Sequence, residues 1–497
     1  MNFNITVSNT SNDLSQKANS LLLKIFSDEK NLKKDVDRFL DARKIELNPS
    51  VKKNFLSKET SEIEFINHSA KPDYVLLTKL FKDEKFDVDK FREMMSKLII
   101  NLKDKEIQFI QVELPNYNLF KKFYHDAEYF YQTFVEGIHL GNYTFDKYKS
   151  DKKALKKLKI NFNINSIEVK TSIIIGENIL SAVDFAKELS NEPAIALTPA
   201  ELVKRTKKEL SKLGVQVTVF NKAELKKRKM NSLLAVAEGS DQSPYLMILK
   251  YKPSKKANKK IALVGKGVTY DSGGYSIKPS DSMTEMNADM AGASTVVGTV
   301  MAAAKLKLPV ELIGVIPAVE NMISGRAYKP GDIISTSSGK TIEVKNTDAE
   351  GRLILADALE YTSKLKPDEI LDFATLTGAC VVALGEFTAG IFTKNDIIAK
   401  ALTESGARTF ERIWRFPFWD DYNEGLKSDI ADTSNLGPRW GGAITAGKFL
   451  ETFVDKDIPW AHIDLAGPAL RHKFRSYTEK HNTGFGIRLM IDYLSRK

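Results

Sequence analysis

Downstream of residue 215, compact apolar runs alternate with longer stretches of helical periodicity. Residues 215–220, 245–251, 261–264, 311–317 and 370–376 read as strands, and helical runs follow several of them. Strands that are apolar at consecutive positions are buried on both faces, so the pattern predicts a mixed, mostly parallel sheet with helices on both faces. The first 165 or so residues carry a shorter version of the same alternation. There, 74–77, 107–112 and 159–164 are strand-like and 88–101 and 119–137 are helical, the signature of a small α/β domain. Between the two, residues 179–189 place Ile179, Val183, Phe185 and Ala186 on one helical face, and Asn191-Glu192-Pro193 ends the run. At 497 residues the chain exceeds the size at which one core keeps growing. The expected organisation is an N-terminal α/β domain (1–165) for packing and assembly, a linker and bridging helix (166–200), and a C-terminal domain (201–497) that carries the chemistry.

Candidate chemistry concentrates in two stretches of that larger domain. Asn346-Thr347-Asp348-Ala349-Glu350-Gly351-Arg352-Leu353 sets two carboxylates and a guanidinium at alternate positions. If the piece is extended, the three side chains share a face: two oxygen donors suited to a hard cation, and a fixed positive charge beside them. A polar loop capping a helix also explains acidic residues before an apolar run. Upstream, Val264-Gly265-Lys266-Gly267-Val268-Thr269-Tyr270-Asp271-Ser272-Gly273-Gly274-Tyr275-Ser276-Ile277-Lys278-Pro279 leaves a buried strand as a glycine-rich loop, and Asp289 follows at the next helix start. Strand ends of this kind are where α/β enzymes place their sites. Four carboxylates (Asp271, Asp289, Asp348, Glu350) in one pocket would repel one another strongly unless cations neutralised them. That implies two divalent ions sharing bridging carboxylates.

These stretches resemble the signatures of the leucyl aminopeptidase family, the two-metal cytosol aminopeptidases. Asn191-Glu192-Pro193-Ala194, Ala374-Thr375-Leu376-Thr377-Gly378-Ala379-Cys380, Arg439-Trp440-Gly441-Gly442 and Trp460-Ala461-His462-Ile463-Asp464 extend the resemblance from about residue 175 to the end. It implies one metal on Asp271, Asp348 and Glu350, and a second on Lys266, Asp271, Asp289 and Glu350. A lysine ligand must lose its proton, which only adjacent dications in a dry pocket would bring about. The resemblance further implies that Lys278 stabilises a developing oxyanion and that Arg352 holds a bicarbonate that shuttles a proton. Met286, Thr375, Leu376 and Gly378 would line an apolar pocket for leucine-like or methionine-like N-terminal residues, although the same residues could be core. The expected cofactors are two divalent ions per subunit, Mn²⁺ or Zn²⁺, and the expected substrates are peptides with a free N-terminus. The expected assembly is a homohexamer. Departures from the family pattern are Asn287-Ala288 before Asp289 and Pro438 before the Arg-Trp-Gly-Gly loop; neither removes a ligand.

Composition adds limits. With 42% hydrophobic and 28% charged residues the chain is ordinary for a soluble globular protein, and its longest small or apolar stretch, 291–304, is too short to span a bilayer. The start lacks a signal-peptide pattern, so a cytoplasmic location is expected. The single cysteine, Cys380, lies among apolar neighbours and reads as a packed thiol. His68, His125 and His139 are scattered and read as structural. The net charge of +10 arises from lysine runs such as Lys152-Lys153, Lys156-Lys157, Lys226-Lys227-Arg228-Lys229 and Lys255-Lys256. No nucleic-acid-binding motif accompanies these runs, so a nucleic-acid partner is permitted but not favoured. Gly265-Lys266-Gly267 lacks the spacing of a P-loop.

Overall fold

The computed structural model describes residues 2–7, 13–57, 60–67, 71–81, 86–103, 105–151, 157–254 and 256–497. His68, Lys152, Lys153, Lys156 and Lys255 lie outside the described residues. The chain divides into two compact units, 1–180 and 181–497.

In the first unit, β1 (Asn2–Val7), β2 (Ser20–Phe26), β3 (Glu62–Ile66), β4 (Tyr74–Lys79), β5 (Phe109–Glu113) and β6 (Lys157–Phe162) form one sheet in the order β1-β6-β5-β2-β4-β3. Every pairing is parallel except that of β3 with β4. The pleat explains the two apolar clusters. Leu21, Leu23 and Ile25 of β2 join Phe91, Phe130 and Ile160 on one face, while Leu22 and Phe26 join Val36, Phe39 and Leu40 on the other. Aromatic residues dominate the first cluster, where Phe91 meets Phe120 and Phe130 edge-on. The run expected as a helix over 119–137 is instead a 3-10 turn, Tyr117–Leu119, and a helix that begins only at Ala127 and ends at Asn142. Asp126 sets that start by accepting from the Tyr129 N–H.

The second unit has β7 (Gln216–Phe220), β8 (Tyr245–Tyr251), β9 (Lys260–Gly265), β10 (Gly267–Asp271), β11 (Glu311–Asn321), β12 (Ile333–Ser335), β13 (Thr341–Glu343), β14 (Glu369–Ala374), β15 (Ala389–Phe392), β16 (Ile413–Arg415), β17 (Thr433–Ser434) and β18 (Trp460–Asp464). The main sheet runs β16-β15-β18-β14-β9-β11-β8-β7, with β10 also on β11. Its centre, β18-β14-β9-β11, is parallel. β7, β8 and β15 pair antiparallel toward the edges. β14 is buried at every position, as a central strand covered on both faces must be. The covering helices include Ala291–Leu306 and Glu350–Lys364, both of which pack on β9, β11 and β14. The helix expected over 179–189 spans Ile167–Asn191 and stops just before Pro193.

Candidate active site

The site forms where β9, β10 and β14 end. Lys266 sits between β9 and β10, and Asp271 closes β10. The loop beyond turns through Gly273 and Gly274, both at positive φ (84° and 62°), a conformation that side-chain-bearing residues rarely adopt. The Lys278 N–H then bonds the Ser272 carbonyl at 3.0 Å, which folds Lys278 back over Asp271. Asp289 follows a 3-10 turn, Met286–Ala288, and precedes by two residues the helix that starts at Ala291. The 348–352 stretch is not extended. Glu350 is the first residue of a helix and Ala349 its cap, so Asp348, Glu350 and Arg352 converge by a turn entering a helix rather than by strand alternation. The helix N-terminus favours an acidic residue in that first turn.

These placements bring Lys266, Asp271, Lys278, Asp289, Asp348 and Glu350 together. Carboxylate oxygens of Asp271, Asp348 and Glu350 all lie within 4.8 Å of one another. The Lys266 ammonium sits 2.8 Å from Asp289 Oδ1 and 2.9 Å from Glu350 Oε1. Lys278 bridges Asp271 at 2.9 Å and Asp348 at 2.5 Å. Lys266, Asp271, Asp289 and Glu350 are buried, whereas the Asp348 side chain is one-third exposed. Gly351 makes room for Lys266, since a Cβ there would stand 2.5 Å from Lys266 Cε.

Neutral groups that the charge pattern does not reveal hold this cluster. Asn321, at the end of β11, donates from Nδ2 to Asp271 Oδ1 (2.7 Å) and to the Thr347 carbonyl (3.0 Å). Tyr328 donates to that same carbonyl. The Thr347 hydroxyl donates to the Gly273 carbonyl and accepts from the Ser276 N–H, tying the two motif loops together. Thr375 donates to Asp289 Oδ1 at 2.8 Å, and its carbonyl accepts from Lys266 at 3.0 Å. Arg352 is buried and donates from Nη1 to the Asn435 carbonyl, while its Nε has no partner among the described residues.

The electrostatics are those of a site short of cations. Four carboxylates face two ammonium groups. Burial, reinforced by the Asp271 charge, pushes Glu350 up to about 8, and burial lifts Asp289 to about 6 and raises Asp348. Burial opposes the charge on Lys266, but Asp289, Glu350 and Asp271 outweigh it and hold the ammonium well above its ordinary value. Burial also lowers Arg352 to about 10. Asp289 Oδ2 is buried with no hydrogen-bond partner among the described residues. An unpaired carboxylate oxygen in a pocket with surplus negative charge suits a hard divalent cation.

Of the expected substrate-pocket residues, Thr375 stands against Asp289. Leu376 packs partly on the main apolar cluster and donates its N–H to Asp464. Gly378 begins a helix and is exposed, and Met286 is half-buried in the turn before Asp289. Asn287 anchors that turn through a 2.9 Å bond to the Glu192 carbonyl. Cys380 is buried, and burial raises its thiol well above the usual range, as expected of a packed residue. His125 pairs with Asp126 and His139 packs edge-on against Phe3, and neither belongs to a group of metal-ligating side chains among the described residues.

An α/β fold with carboxylates and lysines gathered at the ends of its central strands is shared with the aminopeptidases, and the comparisons place the chain in that class of peptidase. The chain belongs to the cytosol aminopeptidase family. The family's catalytic-domain model matches residues 184–491 and its N-terminal-domain model residues 15–152. A probable cytosol aminopeptidase of Chloroherpeton thalassium is 43% identical over 432 residues, covering 83% of this chain and 84% of the relative. One from Aquifex aeolicus is 41% identical, covering 89% of each. Among solved structures, a mutant of tomato leucine aminopeptidase is 31% identical with a TM-score of 0.84, over 99% of this chain and 96% of that one. A bottromycin maturation enzyme in complex with Mn is 28% identical with a TM-score of 0.83, over 97% of this chain and 99% of that one. No helix among the described residues is long and apolar enough to cross a membrane.

Proposed function

We propose that this chain is a two-metal aminopeptidase that removes leucine-like residues from the free N-terminus of peptides. The observation that carries the reading is the cluster in which Asp271, Asp289, Asp348 and Glu350 outnumber Lys266 and Lys278 and leave the buried Asp289 Oδ2 without a partner among the described residues. Asp271, Asp348 and Glu350 would hold one divalent ion; Lys266, Asp271, Asp289 and Glu350 would hold the other. Mn²⁺ and Zn²⁺ both suit this donor set. When bound, such ions lower the pKa of a water toward neutrality and polarise a carbonyl.

The chain's own residues supply the rest. Lys266, an ammonium held by Asp289 and Glu350, would serve as a ligand only after its proton had passed to solvent and left a lone pair on the amine. Lys278 keeps its proton, and its N–H donors stabilise negative charge as it develops on the scissile carbonyl oxygen. Arg352 has a buried Nε without a partner among the described residues and stands in the first turn of a helix, a setting suited to a small anion such as bicarbonate that accepts and returns a proton. Met286, Thr375, Leu376 and Gly378 would border the side-chain pocket. The N-terminal unit would serve packing and assembly, with a homohexamer as the assembled form and the cytoplasm as its compartment.

The test compares L-leucine p-nitroanilide with its N-acetylated counterpart on metal-loaded protein. Turnover of the free amine alone supports the reading, and equal turnover of both contradicts it. A panel of N-terminal residues then ranks side chains, with leucine and methionine expected above glycine and aspartate.

A further inference from the structure

The sheet of the first unit reverses its winding between β2 and β5. From β2 the chain enters the helix Leu32–Arg43, which packs with Leu22 and Phe26 on one face. From β5 it passes to the helix Ala127–Asn142, which packs with Leu21 and Leu23 on the other face. In open α/β sheets, adjacent parallel strands whose connections leave in opposite directions open a crevice at their carboxyl ends, and small ligands bind there. A cavity of about 390 Å³ occupies this place, lined by the ends of β2 and β5, the loops after them and one face of the helix Leu32–Arg43.

The polar groups of the cavity fall into two sets. Glu113 pairs with Lys24 at 2.9 Å and with Arg43 at 2.5 Å, Arg43 also pairs with Asp13, Asp28 accepts from the Lys30 N–H and from Asn31, and Asn116 accepts from the Asn118 N–H. Three groups remain unengaged among the described residues. Ser27 is 8% exposed and its Oγ has no hydrogen-bond partner. Asp35 and Arg38, one helical turn apart, line the same cavity and pair neither with each other nor with another side chain among the described residues. Phe39 and Ala42 complete that helix face, since positions 35, 38, 39 and 42 lie on one side of an α-helix.

We propose that this cavity is a binding site for a zwitterion of amino-acid size, filled by the free amino acid that the peptidase releases. An ion of one sign would meet a repelling group at Asp35 or Arg38, whereas a zwitterion satisfies both: its ammonium pairs with Asp35 and its carboxylate takes the guanidinium fork of Arg38. The Ser27 hydroxyl gains the partner it lacks, and Phe39 and Ala42 face the ligand side chain. The proposal rests on the aminopeptidase reading only for the source of the ligand.

The test is equilibrium dialysis of labelled L-leucine against the full-length chain carrying Asp348→Ala, so that turnover plays no part. Saturable binding at one site per chain is expected, and Asp35→Ala and Arg38→Ala should each weaken it by about tenfold, the loss of one charge-assisted contact. N-acetyl-leucine and leucinamide, each lacking one charge, should be weaker by a similar factor. Both substitutions lie on the surface of the helix, and circular dichroism should show the fold retained. Leucine binding that is absent, or unchanged in both variants, overturns the proposal, as does N-acetyl-leucine binding as well as leucine. If the anilide assay fails and dialysis succeeds, the substrate reading falls and the site stands.

Discussion

Asn321 holds Asp271 by a 2.7 Å bond from its Nδ2, while the same amide nitrogen reaches the Thr347 carbonyl at 3.0 Å. Both partners are acceptors, which fixes the amide orientation. One neutral side chain therefore aims the carboxylate that both proposed metal ions share and ties it to the loop that carries Asp348. Outer partners of this kind set metal affinity through the ligands they orient, and losing one costs about 10–100-fold. Asn321→Ala is expected to lower Mn²⁺ affinity within that range, measured by competition with a chromogenic chelator. Asn321→Asp, which turns a carboxylate toward Asp271, should be worse. Unchanged affinity in both variants would show that Asp271 is held by other means.

Gly351 lies directly under Lys266. A Cβ at this position would come within 2.5 Å of Lys266 Cε, so the lysine, buried and held by Asp289 and Glu350, would have to move. Gly351→Ala is expected to displace the amine and reduce kcat by on the order of 100-fold, a penalty typical of an ångström-scale misplacement at a reacting centre. Steady-state kinetics beside a thermal melt checks this: activity should fall far more than the Tm.

The thiolate is the reactive form of cysteine, and burial holds Cys380 in its thiol form. Alkylation by iodoacetamide at pH 8 is expected to be slower in the folded protein than in guanidinium by on the order of 100-fold or more. Rapid labelling of native protein would contradict this placement.

Asp357 is fully buried within the helix Glu350–Lys364 and accepts from the backbone N–H groups of Leu233 and Ser337. Burial outweighs those bonds and lifts its carboxyl to about 7. A folded-state pKa above the unfolded value means that the group's contribution to stability is complete below about 4 and is lost as pH rises toward 7. The Tm advantage of the native chain over Asp357→Asn is therefore expected to shrink between pH 4.5 and pH 8. Melting curves at the two pH values test the sign.

Much of this architecture is legible in the chain. The strands over 245–251 and 311–317 announce themselves by continuous apolar runs, and β8 and β11 lie there. Lys266, Asp271 and Lys278 are legible because one short stretch of chain, a strand and the loop leaving it, carries them all with the glycines that let it turn. The alternation at 348, 350 and 352 misleads, because two charges bracketing a helix start have the same spacing as residues on one strand face. The better signal is the acidic Glu350 just before an apolar helical run. Asn321, Thr347 and Asn435 stay hidden for a physical reason. Uncharged amides and hydroxyls leave no charge pattern, and the Asn435 backbone carbonyl accepts from Arg352 across 83 positions of chain that no local pattern links.

The central claim is that the carboxylate cluster works by holding divalent metal. The most direct measurement is release of p-nitroaniline from L-leucine p-nitroanilide by metal-stripped protein, before and after addition of Mn²⁺ or Zn²⁺, beside Asp348→Ala. The expected result is negligible turnover without metal, recovery on addition, and no recovery in the variant. Full turnover by stripped protein, or an Asp348→Ala variant as active as the native chain, would contradict it.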